Sequence, residues 1–200
     1  MRAIPISKIR KSELQKAAFE VLFTQGFQSI TVEQIAERAG ISKGIVHHYF
    51  KNKQQLLRYA VRYGHSMYRT AVVTRLKEKR SPSERLWAII DGNFAPEIFH
   101  PELCRIWLSV FDASHGDEQL RRLFEIVDAR TISTVAFELR RLGDLQARNK
   151  AYAIMNFIDG LWVLAASQPE TTRARALSFM RNYITENVTL FDPAVVERLE

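Results

Sequence analysis

The spacing of apolar positions predicts helices along the whole chain. From Lys8 to Gln25, Leu14, Ala17, Ala18, Val21 and Leu22 recur at steps of three and four, one face of an amphipathic helix. Gly26 ends it, because glycine takes the left-handed cap without strain. Thr31 opens a second helix as N-cap with Gln34 in the capping-box position, and Val32, Ile35, Ala36 and Ala39 share a face until Gly40. Ser42 caps a short third helix reaching about Phe50, with Ile41, Ile45 and Phe50 assigned to the core. Asn52, with Gln55 three residues on, starts a long fourth helix to about Lys79. Pro82 suits the first turn of a fifth, ending near Phe99. Pro101–Ser114, Glu118–Leu142 and Gln146–Ser167 follow, and a ninth helix runs from Thr171 to about Val188. No stretch alternates with period two long enough for a strand. The expected fold class is all-α with nine helices, three short ones in front of six longer ones. A boundary inside the fourth helix would divide residues 1–53 from 54–200.

Composition narrows the class. Hydrophobic residues make up 46% of the 200 positions and charged ones 26%, which supports a folded core rather than disorder. No apolar run approaches the roughly 20 residues of a membrane span, and no basic-then-apolar leader is present. The single cysteine, Cys104, excludes an internal disulfide and a cysteine-based zinc site, and fits a reducing compartment. The expected location is cytoplasmic.

Charge is distributed unevenly. Residues 1–60 hold ten Lys/Arg against four Asp/Glu, and the remainder 19 against 18. Nearly all of the formal excess of +7 therefore lies in the first third. Such a segment is either a polyanion-binding surface or a basic solvated one. The helix closing at Gly40, the short turn and the helix from Ser42 favour the first, because together they form a helix-turn-helix. In that motif the second helix enters the major groove, its N-terminal residues nearest to bases and phosphates. Ser42 and Lys43 stand where free N–H groups and the helix dipole attract phosphate. Gly44 permits close approach, and His47 and His48 project one turn on. Adjacent histidines on a helix cannot face one metal ion, so no metal is expected there.

The stretch "TVEQIAERAGISKGIVHHYFKNKQQLL", Thr31 to Leu57, resembles the DNA-binding segment of TetR-family transcriptional repressors. The resemblance implies a nine-helix homodimer with an N-terminal helix-turn-helix head and a C-terminal body for ligand binding and dimerisation through helices eight and nine. It implies that Thr31 caps the second helix and touches phosphate, and that Ser42, Lys43 and Gly44 set the recognition helix on the duplex. It further implies that His47 and His48 enter the groove, Tyr49 meets phosphate and Lys53 pins the start of the fourth helix. Many members carry tyrosine where this chain has His47 or His48, so the bases read do not transfer. In the body, "AIIDGNF" (Ala88 to Phe94), "IWLSVF" (Ile106 to Phe111) and "FIDGLW" (Phe157 to Trp162) resemble the BetI-type subgroup, repressors of choline-to-betaine genes.

The residues can be weighed against that implication. A quaternary ammonium donates no hydrogen bond and is held by aromatic faces. Phe94, Trp107, Phe111, Tyr152 and Trp162 are candidates for a cage. Phe111 stands where the subgroup has tryptophan, and a phenyl face attracts cations less strongly. Tyr152, Met155, Asp159 and Trp162 form one stripe of the eighth helix beside an apolar one, so Asp159 needs a partner: a ligand cation, an arginine or a helix N-terminus. Asn93 is either a polar group of the pocket or an inter-helix hydrogen bond, and Trp162 is either pocket or dimer interface.

A ligand-responsive repressor is the reading these features support together. Its two recognition helices would reach half-sites of a palindromic operator about 34–36 Å apart. The alternatives are a repressor answering another small apolar or cationic ligand, and an architectural protein coating DNA without sequence preference. The chain holds no phosphate loop, H-E-x-x-H, nucleophile elbow or Cys–His pairing. Neither enzymatic activity nor a cofactor is expected.

Overall fold

The computed structural model describes residues 6–26 and 29–199, excluding the side chains of residues 6–10, Lys53 and Leu199. Among these residues there are α-helices and one 3-10 turn, and no strand. The helices are α1 (Ile6–Gln25), α2 (Val32–Arg38), α3 (Lys43–Tyr49), α4 (Lys53–Leu76), α5 (Pro82–Asn93) and α6 (Pro101–Ala113). After the 3-10 turn Ser114–Gly116 come α7 (Glu118–Arg141), α8 (Ala147–Ser167), α9 (Arg173–Asn187) and α10 (Ala194–Leu199). The nine expected helices are present. The tenth is too short for periodicity to reveal, yet it buries Val195 and Val196.

Three ends differ from expectation, each for a local reason. Helix α4 stops at Leu76 rather than Lys79, and Glu78 then takes a left-handed φ of 69°. Helix α5 stops at Asn93 because Pro96 brings no N–H and disfavours helix at Ala95; short turns lead to Phe99 instead. Thr172, not Thr171, caps α9, its hydroxyl accepting from the Arg175 N–H at 3.3 Å while Thr171 is buried.

The chain divides into two compact units. One contains the chain up to Ser66 together with Ile106–Leu123; the other contains Met67–Arg105 and Phe124–Glu200. In the first, α1 buries Leu14, Ala18 and Leu22, α2 buries Ile35 and Ala36, and Arg38 of α2 donates to Glu20 of α1 at 2.6 Å. The α2–α3 turn is a Schellman motif: Gly40 N–H donates to Glu37 and Ile41 N–H to Ala36, both at 3.0 Å. Gly40 has φ +65°, which only glycine adopts freely. That turn sets the angle between the two helices.

In the second unit, Trp87, Ile90 and Phe94 of the α5 region meet Leu139, Ile154, Ile158 and Met180 in one core. Glu138 on α7 is 0% exposed and accepts from Arg85 at 2.6 Å and Arg141 at 2.8 Å. Helices α4 and α5 approach closely at Val72 and Gly92. A Cβ built on Gly92 would lie 2.8 Å from the Val72 Cα. Asp91, the neighbouring residue, pairs with Arg75 of α4 and Arg173 of α9.

Candidate functional site

The basic front of the first unit is built by its caps. Thr31 and Gln34 complete a reciprocal box: the Gln34 N–H donates to the threonine hydroxyl at 3.2 Å, and the Thr31 N–H to the Gln34 carbonyl at 2.8 Å. Ser42 accepts from the Ile45 N–H at 3.4 Å, starting α3. Along α3 the buried positions are Val46 and, just after it, Phe50, four residues apart. This corrects the expectation for Ile45. It lies about 100° round the helix from Val46 and is 43% exposed.

Ser42, Lys43, Gly44, His47 and His48 are exposed too, Tyr49 is half-buried, and its ring meets that of His48 edge-on at 5.3 Å. Thr31 is likewise exposed. Lys43 pairs with Glu33, from the first turn of α2. That bond, with lesser help from the charges of Lys43 and His47, holds the Glu33 carboxyl below the usual range. Lys53 begins α4, and its side chain lies outside the described residues. Asn52 and Gln55 fix this start: Gln55 N–H donates to Asn52, and Lys51 N–H to Gln55, both at 2.8 Å.

In the second unit a polar cluster forms around Tyr68 of α4. The side chains of Thr131 on α7 and Asn93 at the end of α5 lie close enough to its hydroxyl to oppose the effect of burial. Burial raises the phenol's pKa, and the nearby charges of Asp159 and Asp128 add to the rise. Asn93 is buried and donates to the Ile89 carbonyl at 2.8 Å. The Trp162 indole N–H donates to the Asn93 backbone carbonyl at 3.1 Å, and its ring meets Phe99 at 5.8 Å. Phe99 in turn meets Phe94 edge-on at 4.9 Å.

Two carboxylates border this cluster. Each keeps an open side, but surrounding protein pushes the Asp159 carboxyl up to about 6, first by desolvation and then by the charge of Asp128. Asp128 is raised by desolvation as well. Among the described residues no guanidinium, ammonium or hydrogen-bond donor acts on either to lower it. Of the three partners open to Asp159, neither an arginine nor a helix N-terminus acts on it among the described residues.

The expected ligand residues are thus distributed. Asn93, Asp159 and Trp162 border one cluster, with Phe94 fully buried behind it. Tyr152 lies exposed on α8 beside Arg148. Trp107 and Phe111 belong to the first unit. There Trp107 packs on His65 at 4.9 Å, and half-exposed Phe111 meets His115 edge-on at 6.0 Å. Burial lowers the His65 pKa to about 4, which keeps that imidazole neutral. Sequence reasoning missed Tyr68, Asp128 and Thr131. Asp128 was detectable: it precedes Ile132, Val135 and Leu139 at helical steps, an acid on an apolar stripe like Asp159. Among the described residues no group of three or more His, Cys, Asp or Glu is placed to hold a metal ion, and no helix is long and apolar enough to cross a membrane.

Residues 14–60 match the family described as bacterial regulatory proteins, tetR family, and residues 82–189 match the BetI-type transcriptional repressor, C-terminal, family. The HTH-type transcriptional regulator BetI of Cronobacter sakazakii is 37% identical over 192 residues, covering 92% of this chain and 95% of that protein. The regulator of the same description from Escherichia coli K12 is 35% identical over 192 residues, covering 94% and 98%. Among solved structures, a transcriptional regulator from Saccharomonospora viridis in complex with choline superposes with a TM-score of 0.81 at 20% identity, covering 90% of this chain and 98% of that one. A TetR transcription regulator from Haloarcula marismortui gives 0.80 at 19%, covering 92% and 98%. At these identities the two structures speak for the fold alone.

Proposed function

Because the chain belongs to the TetR family of bacterial regulators and carries a BetI-type C-terminal region, a ligand-responsive DNA-binding repressor and not an enzyme, we propose that its effector is choline or a close quaternary ammonium. The observation that carries this reading is the pair Asp128 and Asp159. Each carboxylate has an open side, the charge of Asp128 raises Asp159, neighbouring protein desolvates both, and among the described residues no protein cation acts on either. A ligand of fixed positive charge would relieve them, and a quaternary ammonium supplies that charge with no N–H requiring an acceptor. Trp162 offers an aromatic edge beside them, while Tyr68, Asn93 and Thr131 offer polar groups for a ligand hydroxyl. The BetI relatives and the choline-bound fold neighbour agree with the assignment.

In this reading residues 1–53 form the DNA-binding head and 54–200 the ligand and dimerisation body. Thr31, Ser42, Lys43, Tyr49 and Lys53 position the head on phosphate, and Gly44, His47 and His48 face the bases. The protein acts in the cytoplasm as a homodimer on a palindromic operator upstream of betaine-synthesis or transport genes. Val163 and Leu164 of α8 and Phe179 of α9 are exposed apolar side chains suited to that pairing. Choline regulates by binding the DNA-competent and incompetent states with different affinity. Tyr68 lies on α4, the helix that Lys53 opens, so that helix is the natural carrier of the coupling.

Calorimetry with choline, betaine aldehyde and betaine tests the assignment, with Asp159→Asn beside the wild type. Saturable heat from choline, weakened at least tenfold by the substitution, is expected. Heat no larger than dilution for all three would leave a repressor answering another cationic or apolar ligand.

A further inference from the structure

Lys43 is the first residue of the recognition helix, yet its ammonium is already engaged, by Glu33 from the first turn of α2. Glu33 also lies within the field of His47, one turn along α3 from Lys43. The carboxylate therefore stands on the side of α3 that carries Lys43 and His47. Both members of the pair are more than half exposed, so burial does not demand it. Exposed pairs of this kind contribute little to stability. Opposite a duplex the same pair has a different consequence, because DNA phosphates compete with Glu33 for the lysine.

We propose that Glu33 is an internal counter-charge that sets DNA affinity, occupying Lys43 so that the recognition helix must exchange a carboxylate for a phosphate whenever it docks. The inference rests on the reading of α2 and α3 as the DNA-binding head. Phosphate contacts carry no base information, so the effect falls equally on every sequence. Lys43 reaches a phosphate with or without Glu33, so removing the carboxylate raises log affinity across the salt series and leaves its slope against log salt nearly the same.

The test is fluorescence anisotropy over a salt series with the full-length protein. The probes are the duplex that the wild type selects from a random pool and a random-sequence duplex of the same length. Glu33→Gln keeps the shape and removes the charge. The expected result is affinity raised roughly three- to tenfold on both duplexes, a nearly unchanged salt slope, and an unchanged ratio between them. In a Lys43→Ala background the same substitution should change affinity less than twofold. An unaltered affinity, a gain confined to the selected duplex, or a full gain in the absence of Lys43 would each overturn the proposal. A wild type that binds both duplexes equally, without salt dependence, would instead remove the DNA-binding premise itself.

Discussion

Gly92→Ala sets two effects of opposite sign against each other at one position. Within α5, replacing glycine by alanine should stabilise the helix by about 1 kcal/mol, through lower backbone entropy in the unfolded chain. At this crossing, however, the new methyl carbon would sit 2.7 Å from the Val72 Cγ2 and 2.8 Å from its Cα. A rotamer change moves Cγ2 aside but leaves Cα, so only separation of α4 from α5 relieves the overlap. Overpacking of this kind costs about 1–3 kcal/mol, and a backbone obstacle places this case in the upper part of that range. The net loss is then roughly 1–2 kcal/mol. For a chain of this length that lowers Tm by about 2–8 °C. Circular dichroism at fixed protein concentration without ligand would measure it. The double variant with Val72→Ala should not recover the loss, since Cα remains. Because Tyr68 and Asn93 meet near this crossing, choline affinity should fall in parallel. A Tm equal to or above the wild type would refute the close approach of the two helices.

Three further expectations follow from the same structure. Because the Asp159 carboxyl titrates near 6 in the free protein, choline should bind about tenfold more weakly at about pH 5 than at about pH 7.5, and calorimetry of Asp159→Asn should flatten that profile. The sign for folding is opposite. A carboxyl raised from 3.8 stabilises the apo fold below the unfolded value and loses that contribution as pH climbs through about 6, so the choline-induced rise in Tm should grow over the same window. Glu138→Ala leaves Arg85 and Arg141 without their buried partner and should destabilise by roughly 3–5 kcal/mol in denaturant titration; a loss below about 1 kcal/mol would mean the pair is solvated. Thr31→Ala removes one half of the α2 capping box and should cost about 1 kcal/mol, read as earlier unfolding of the head in hydrogen exchange.

Much of the helical layout was legible because helix ends are written in single residues. Thr31 with Gln34, Ser42, Gly40 and Pro82 act on backbone groups within four positions of themselves, and each does in the structure what its chemistry requires. The family, too, was readable, since the head motif is a dense run of such local requirements. Periodicity faltered where the helix was short. In the seven residues of α3, two turns do not separate Ile45 from Val46 as the buried position, and only the packing against neighbouring helices selected Val46.

Tertiary structure alone decided which distant side chains share a neighbourhood. Asp159 was recognisable as an acid needing a partner, but its neighbour proved to be a second acid on α7, with Tyr68 brought in from α4. Trp107 carries the right chemistry for a cation cage, and the structure packs its ring on the neutral imidazole of His65, a neighbour distant in sequence that spacing along the chain does not reveal. The lysine best placed for phosphate turned out to be held by a glutamate ten residues earlier. Local chemistry dictates the elements because backbone hydrogen bonds close within a turn. The meeting of charges across helices depends on crossings such as Val72 with Gly92, where shape in three dimensions, not spacing in the chain, determines who meets whom.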